Sequence, residues 1–380
     1  MAKTVKRAYR YRFYPTPEQA DLLNRTFGCV RYVYNRALAE RSRAWTQDKK
    51  RVTFAQTCRM LTEWKAEPER AWLREVSNVA LQQGLQHLQA AFVNFWGKWA
   101  SYPQFKSRRK SRASATFTTS GFRWRDGKLW LAKMDAPLDI RWSRPLPEGA
   151  EPSTVTVSRD AAGRWFVSLL VEETIEPHPA TDAAIGIDAG LTSLLTFSTG
   201  EKIANPRHER RDRQRLAKAQ RALSRKQKGS ANREKARRKV ARVHARIADR
   251  RADFLHKVTT RLVRENQALA IEDLSVRNMV KNHSLARAIS DASWSEFRRM
   301  LEYKADWHGR TVIALDRFYP SSKTCSACGA IAAKMPLNVR AWECASCGTV
   351  HDRDVNAAKV LVAAGLAVAA CGDGVRPSRA

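Results

Sequence analysis

Apolar residues in the first half of the chain repeat mainly at helical spacing. They recur every three or four positions from Pro17 to about Trp45, over Phe54–Trp64 and over Trp72–Trp99, which predicts three helices. Basic and aromatic residues alternate at 5–14, which predicts a strand before these helices. Short apolar runs between turn residues over 115–175 predict further strands after them. The pattern indicates an antiparallel β-barrel or sandwich with a helical segment inserted into it.

After residue 183, short apolar strands alternate with long helices. Strands are predicted over 184–197, at 268–274 and at 311–315, and an alanine-rich helix is predicted from Asp354 to about Ala370. Between the first two strand regions, residues 206–262 keep apolar residues at helical spacing within a strongly basic sequence. This segment is predicted to form a basic helical hairpin, and the second half as a whole is predicted to be an α/β domain.

Three acidic residues hold comparable positions in this second half. Asp188 and Glu272 each stand at the end of a short apolar strand, and Asp354 opens a helix. This order is expected of an RNase H-like sheet, where acids from the first strand, a later strand and a helix meet at one corner. Such a cluster suits phosphodiester hydrolysis with two Mg²⁺ or Mn²⁺ ions about 3.5–4 Å apart. We therefore predict that these three residues are catalytic and bind Mg²⁺ or Mn²⁺.

Other acids near these positions have a simpler interpretation. Asp273, Asp316 and Asp352 are interpreted as turn or cap residues, since an Asp after a strand commonly bonds to nearby backbone. The amide of Asn356 follows Asp354 closely, so it is predicted to share the metal-binding corner.

Four cysteines near the end of the chain have the spacing of a zinc ribbon. Cys325, Cys328, Cys344 and Cys347 form the pattern C-x2-C-x15-C-x2-C, which places four thiolates around one tetrahedral Zn²⁺. A glycine follows each pair, at Gly329 and Gly348, where a tight turn favours a residue that accepts positive φ. Four thiolates leave no open coordination position, so the predicted zinc ion is structural.

The charge of the chain indicates its partners. Lys and Arg number 69 in 380 residues, against 37 for Asp and Glu, so the net formal charge is +32. The basic side chains repel one another, which favours a polyanionic partner. Nucleic acid fits better than a membrane, because no run of about 18 apolar residues occurs. The first residues lack the apolar core of a signal peptide. Cys29, Cys58 and Cys371 have no partner pattern and are interpreted as small apolar residues of a cytosolic protein.

Two segments of the first half are candidates for nucleic-acid contact. Uncharged amides along one face of the helix near residue 80 suit base edges, although an ordinary solvated face is the favoured explanation. Basic and aromatic residues interleave over 102–125, which suits phosphate contact and base stacking, whereas a solvated loop is the other interpretation. The predicted contact residues are Ser77, Asn78, Gln82, Gln83, Phe105, Lys106, Arg108, Arg109 and Arg123.

Several segments resemble the TnpB family of insertion-sequence proteins, which is related to the type V CRISPR effectors. They are GIDAGL at 186–191, IEDL at 271–274, the run from PSSKTCSACG through CASCG to DRDVNAA, and the N-terminal PTPEQ and PQFKSRRK. The resemblance implies a monomeric ribonucleoprotein in a bacterial or archaeal cytoplasm. It implies a split RuvC-like nuclease domain, a guide RNA from the end of the element, and double-stranded target DNA beside a short adjacent motif. The catalytic acids and zinc ligands it implies are the residues named above.

The predicted fold is α+β and multidomain. Its parts are a β-barrel wedge domain (1–15 and 101–182), a helical recognition domain (16–100), a RuvC-like RNase H domain (183–320 and 349–370), a zinc ribbon (321–348) and a disordered tail (371–380). The predicted function is RNA-guided hydrolysis of DNA. A transposase that joins DNA strands and a guided DNA-binding protein without nuclease activity remain alternatives. The basic first half favours an RNA scaffold over the transposase, and the retained acids favour chemistry over binding alone.

Overall fold

The chain divides into two compact units. A computed structural model describes residues 2–336 and 338–370. One unit comprises Thr4–Thr174, and the other comprises the residues from Ile175 onward together with those before Thr4. The predicted disordered tail, with Cys371, lies outside the described residues. Each unit has its own hydrophobic core, which agrees with the predicted multidomain α+β fold.

Three helices of the first unit lie close to their predicted positions. They are α1 (Pro17–Asp48), α2 (Phe54–Ala66) and α3 (Asn78–Trp96). Thr16 caps α1 with a capping box. Its hydroxyl accepts from the Gln19 backbone N–H, and the Gln19 side chain accepts from the Thr16 backbone N–H. The predicted start of the third helix at Trp72 is wrong. Residues Pro68–Arg74 form a 3₁₀ turn, and Ser77 is extended (φ −60°, ψ 126°), so α3 begins only at Asn78.

The strands of the first unit form one five-stranded sheet and a separate hairpin. The strands are β1 (Lys3–Phe13), β2 (Ala113–Thr118), β3 (Phe122–Arg125), β4 (Lys128–Leu131), β5 (Ile140–Arg141), β6 (Thr154–Arg159) and β7 (Trp165–Ile175). The sheet order is β2-β6-β7-β1-β5, and β3 pairs with β4. Since β2 and β5 are edges in this order, it does not confirm the predicted closed barrel. Helix and sheet residues share one core, so the structure does not separate a helical domain from the strands.

The second unit is built on a mixed five-stranded sheet. Its strands are β8 (Ala184–Ala189), β9 (Ser193–Phe197), β10 (Lys202–Ala204), β11 (Ala268–Glu272) and β12 (Thr311–Leu315), in the order β10-β9-β8-β11-β12. Strands β8, β9 and β10 pair antiparallel, whereas β8, β11 and β12 run parallel. Parallel neighbours end at the same edge of a sheet, so the ends of β8 and β11 lie side by side.

Helices and a small two-stranded sheet complete the second unit. They are α4 (His208–Ser224), α5 (Ala231–Glu265), α6 (Val276–Met279), α7 (Ala286–Ala292), α8 (Trp294–His308), β13 (Ala341–Glu343), β14 (Val350–Asp352) and α9 (Arg353–Ala370). The predicted basic hairpin is the pair α4 and α5, packed through Leu216, Val243 and Ile247. Within the described residues, no helix is long and apolar enough to cross a membrane.

Candidate active site

The register of two parallel strands places Asp188 beside Glu272. Gly186 pairs with Ala270 and Ile187 with Ile271, and the two acids are the next residue on each strand. Neighbouring strands lie about 4.8 Å apart, and residues two apart on a strand share a face. Asp188 and Glu272 therefore stand on the same face, at the same edge of the sheet.

Helix α9 packs on this face and begins with the third acid. A Cβ atom on Gly186 would lie 1.8 Å from the backbone oxygen of Ala358, and one on Gly365 would lie 2.9 Å from the Ala270 Cβ. Helix and sheet thus approach each other at positions that have no side chain. This close contact holds the first turn of α9, which contains Asp354, at the edge where the two strands end.

The electrostatics of Asp188 show that the three carboxylates share one corner. Burial, followed by repulsion from Glu272 and Asp354, raises the pKa of Asp188 to about 8, while Arg353 and Arg340 act in the opposite direction. Carboxyl groups that lie close enough to raise one another's pKa suit a dication, because a bound Mg²⁺ would remove the repulsion. The structure thus brings together the three acids that the sequence predicts to be catalytic.

The strand-end acids have partners that the sequence did not predict. The Ser321 hydroxyl, 3% exposed, donates to Glu272 Oε1 at 2.7 Å and fixes that carboxylate. The neighbouring Asp273 bonds the guanidinium groups of Arg298 and Arg317, the latter at 2.6 Å. These pairs hold the pKa of Asp273 below its usual range, although burial opposes them. Asp273 is therefore an ion-pair residue, so its interpretation as a turn or cap residue is wrong.

Asp354, in the first turn of α9, lies between a capping carboxylate and an arginine. Asp352 Oδ1 accepts from the backbone N–H groups of Asp354 and Val355, so Asp352 caps α9 as predicted. Asp316 Oδ1 accepts from the backbone of Phe318, which confirms its predicted role in a turn. The Arg340 guanidinium reaches Asp354 Oδ1 at 3.3 Å from the segment between the cysteine pairs. A cation from the segment between the two cysteine pairs therefore contacts a predicted catalytic acid.

The four cysteine sulfurs match the geometry of a zinc site. All four lie within 4.8 Å of one another, and Cys325–Cys347 and Cys328–Cys344 are 3.7 Å and 3.6 Å apart. Zn–S bonds of about 2.3 Å in a tetrahedron require sulfur separations of about 3.8 Å, so the donor set fits Zn²⁺. Gly329 and Gly348 have φ of +77° and +71°, as predicted for the two turns. The ring Nε2 of His351 lies 3.1 Å from Cys325 Sγ, close enough to donate to a thiolate.

One buried amide connects the first cysteine turn to helix α9. Asn356, 1% exposed, accepts from the Ser326 N–H at 2.9 Å and donates to the Thr324 oxygen at 2.7 Å, so it brackets Cys325. Its amide is thus engaged with backbone, and the prediction that it shares the metal corner with Asp354 is wrong. Asn356 instead ties the zinc segment to the helix that carries Asp354.

Replacing Asn356 with Ala should loosen the first cysteine turn. The change leaves a buried N–H and a buried C=O without their partner, which should lower the free energy of local opening by about 2–4 kcal/mol. Hydrogen exchange of the amides of residues 324–329 measures this energy. Lys359→Ala, an exposed change on the same helix, should leave the exchange rates as they are. Equal hydrogen-exchange rates in the two variants would show that the Asn356 hydrogen bonds do not hold the first cysteine turn.

The predicted nucleic-acid contacts differ in how free their side chains are. Six of them are exposed: Asn78, Gln82, Phe105, Arg108, Arg109 and Arg123, and Phe105 is 62% exposed. Ser77 is buried, Gln83 is half-buried, and Asn78 accepts from Lys65 at 3.0 Å. The Lys106 ammonium lies over the Tyr34 ring at 3.9 Å, and the Arg123 guanidinium lies over Trp130 at 4.5 Å. The exposed members are the better candidates for phosphate or base contact.

Comparisons with known families agree with the sequence resemblance. A family profile described as a "probable transposase" (OrfB of IS605) matches residues 167–283. A Cas12f1-like TNB domain profile matches residues 294–361, and a helix-turn-helix profile matches residues 1–50. In this chain, residues 1–50 contain strand β1 and one long helix, α1.

Two relatives and one solved structure match nearly the whole chain. A Streptomyces pristinaespiralis protein provisionally named RNA-guided DNA endonuclease is 68% identical, over 100% of this chain and 94% of its own length. InsQ of Escherichia coli K12, provisionally named in the same way, is 33% identical over 98% of this chain and 95% of its own length. A cryo-EM structure of Cas12f1 with sgRNA and target DNA has a TM-score of 0.59 at 12% identity, covering 94% of this chain and 99% of that chain. That likeness concerns the fold.

Proposed function

The chain belongs to the TnpB family of insertion-sequence proteins, and from this premise we propose that it is an RNA-guided DNA endonuclease. The observation that supports this proposal most directly is the corner formed by Asp188, Glu272 and Asp354, where burial and then repulsion from the other two carboxylates raise the pKa of Asp188 to about 8. The strand order β10-β9-β8-β11-β12 supports a RuvC-like, RNase H-type domain around this corner.

Each residue of the corner has a distinct contribution in the proposed mechanism. Asp188, Glu272 and Asp354 would hold two Mg²⁺ ions, which activate water and stabilise the leaving oxygen when they are bound. Ser321 donates to Glu272 Oε1 and would hold that carboxylate in one orientation. Arg340 lies on Asp354, where its cation is available to a phosphate once the carboxylate binds metal. Zinc bound by the four cysteines would hold the segment that positions both Ser321 and Arg340.

The proposed partners are a guide RNA and target DNA beside a short adjacent motif. The net charge of +32 favours a polyanionic partner, because bound phosphates relieve the repulsion among the basic side chains. Basic side chains are exposed along both helices of the packed pair α4 and α5, including Arg215, Lys218, Lys235, Arg238, Arg242 and Arg246. A rigid pair of helices with a cationic surface suits the phosphate backbone of a structured RNA.

The nucleic acid that accompanies the protein tests the proposed function. The protein is expressed with the DNA that follows its gene, purified, and the bound nucleic acid is sequenced. One discrete RNA that extends beyond the gene is expected, and with it cleavage of DNA complementary to its end. Heterogeneous fragments, or none, would contradict the guided function. A strand-transfer transposase, which the family description favours, would instead join the ends of the element when they are supplied as DNA.

Binding of Mg²⁺ should depend steeply on pH. The pKa of Asp188 lies near 8 in the folded chain and is 3.8 in the reference state, so the folded state binds more protons between these values. Its stability without metal therefore falls as pH rises from about 4 to 8, and a metal ion must displace this proton below pH 8. We expect the Mg²⁺ affinity to rise about tenfold from pH 6 to 7.

The shift in melting temperature with added Mg²⁺ measures this affinity without any cleavage assay. Asp188→Asn is the matched control, because its amide has no proton to release at these pH values and should remove most of the dependence on pH. An affinity that is the same at pH 6 and pH 8 in the unmodified protein would show that Asp188 is ionised throughout.

A further inference from the structure

An exposed aromatic side chain stands at the turn between β12 and the zinc segment. Phe318 is 85% exposed, more than any other large apolar side chain in the described part of the chain, and Tyr319 beside it is 39% exposed. A single exposed apolar residue is common on protein surfaces. Phe318 differs because of how firmly its backbone is held and where the turn lies.

The backbone of this turn is fixed by hydrogen bonds. The Phe318 N–H donates to Asp316 Oδ1 at 2.8 Å, and the Tyr319 N–H donates to the Asp316 backbone oxygen at 3.0 Å. The guanidinium of Arg317 bonds Asp273 at 2.6 Å, next to Glu272. The Phe318 ring is therefore presented to solvent from a defined position.

The turn lies next to the carboxylate corner. Ser321, three residues after Phe318, donates to Glu272 Oε1 at 2.7 Å. Three residues of extended chain span at most about 11 Å, so the ring can reach a base close to a phosphate bound at that corner. Lys323, four residues after Tyr319 in the sequence, adds a positive charge near the aromatic pair, which favours a nucleic-acid strand there.

We propose that Phe318 stacks on an unpaired base next to the phosphate that is cleaved. This inference deepens the proposed nuclease function and rests on it. A phenyl ring offers a flat face and no hydrogen bonds, so it accepts any of the four bases. In a duplex both faces of a base are already stacked on its neighbours, so the ring selects a strand that has been separated. Phe318 thus gives the corner a preference for single-stranded DNA without a sequence preference.

Fluorescence of 2-aminopurine, which falls when the base stacks, tests this contact. The full chain with its co-purified RNA is mixed, in Ca²⁺, with single-stranded DNA that carries one 2-aminopurine at successive positions. We expect quenching at one position in the unmodified protein and in Phe318→Trp. The quenching should be lost in Phe318→Ala and Phe318→Leu, with about 5- to 100-fold weaker binding of the strand. Leu366→Ala, another exposed apolar position, should behave as the unmodified protein.

The outcomes separate this inference from the proposed function. Equal quenching in Phe318→Ala and the unmodified protein at every position, or quenching in neither, would overturn the stacking contact. Cleavage of the same strands in Mg²⁺ is measured in parallel. Stacking at Phe318 without cleavage would overturn the nuclease function and leave the contact standing. Cleavage without stacking at Phe318 would overturn the contact alone. Zinc content, measured on every variant, confirms that the turn has kept its support.

Discussion

Asp188→Ala should abolish DNA cleavage, lowering its rate by about 10³-fold or more, while RNA binding stays within about twofold. Loss of one carboxylate removes ligands for both proposed metal ions, which together supply several kcal/mol of transition-state stabilisation. RNA binding should persist because the carboxylates repel phosphate and contribute nothing to holding it. Cleavage is measured with the reconstituted complex in Mg²⁺, and RNA binding by titration of the purified protein.

The fold should survive this change. Burial and two neighbouring carboxylates raise the pKa of Asp188, so without metal the folded state already favours an uncharged group at this position. Asp188→Asn, which keeps the shape, should be as inactive as the Ala variant. Loss of RNA binding together with cleavage would show that the corner does more than hold metal, and the proposed separation of roles would be wrong.

Cys344→Ser should lose both activity and zinc. A structural zinc site contributes about 10–16 kcal/mol of apparent binding energy to local folding, and three thiolates hold the ion far less well. The segment that loses this support carries Ser321, the partner of Glu272, and Arg340, the partner of Asp354. Cleavage should therefore be lost because the three acids are no longer held in place. The melting temperature of the variant should also be lower.

Cys58→Ser is the matched control for the zinc site. Cys58 is half-buried in α2 of the other unit, and its substitution should leave zinc content and cleavage intact. Zinc content, melting temperature and cleavage are measured on the same preparations. A Cys344→Ser protein that is fully stable yet inactive would show that the cysteines act in the chemistry.

The strands and acids of the second unit could be predicted from the sequence because their signals are local. A five-residue apolar strand such as Thr311–Leu315 is bounded by polar residues, and an acid at a strand end has a defined face. Parallel pairing of β8 and β11 then brings Asp188 and Glu272 together with few alternatives. The four cysteines are equally local, since their spacing alone defines the ligand set.

The supporting contacts could not be predicted, because they join residues far apart in the chain. Ser321 bonds an acid 49 positions away, and Asn356 brackets a cysteine turn about 30 positions before it. Neither side chain differs in the sequence from an ordinary surface serine or helix-cap amide. The strand order of the first unit could not be predicted for the same reason, since alternation identifies strands but does not say which of them pair. Asp273 was misread because its two arginine partners lie outside its own loop.

The contact between Gly186 and the backbone of Ala358 sets a limit on how this enzyme can change. Strand β8 and helix α9 meet here with no side chain between them. Even the smallest addition, one methyl group on Gly186, would therefore push the sheet and the helix apart. Asp188 lies on one side of that contact and Asp354 on the other. Any larger residue at position 186 would push strand β8 and helix α9 apart, and Asp188 and Asp354 with them.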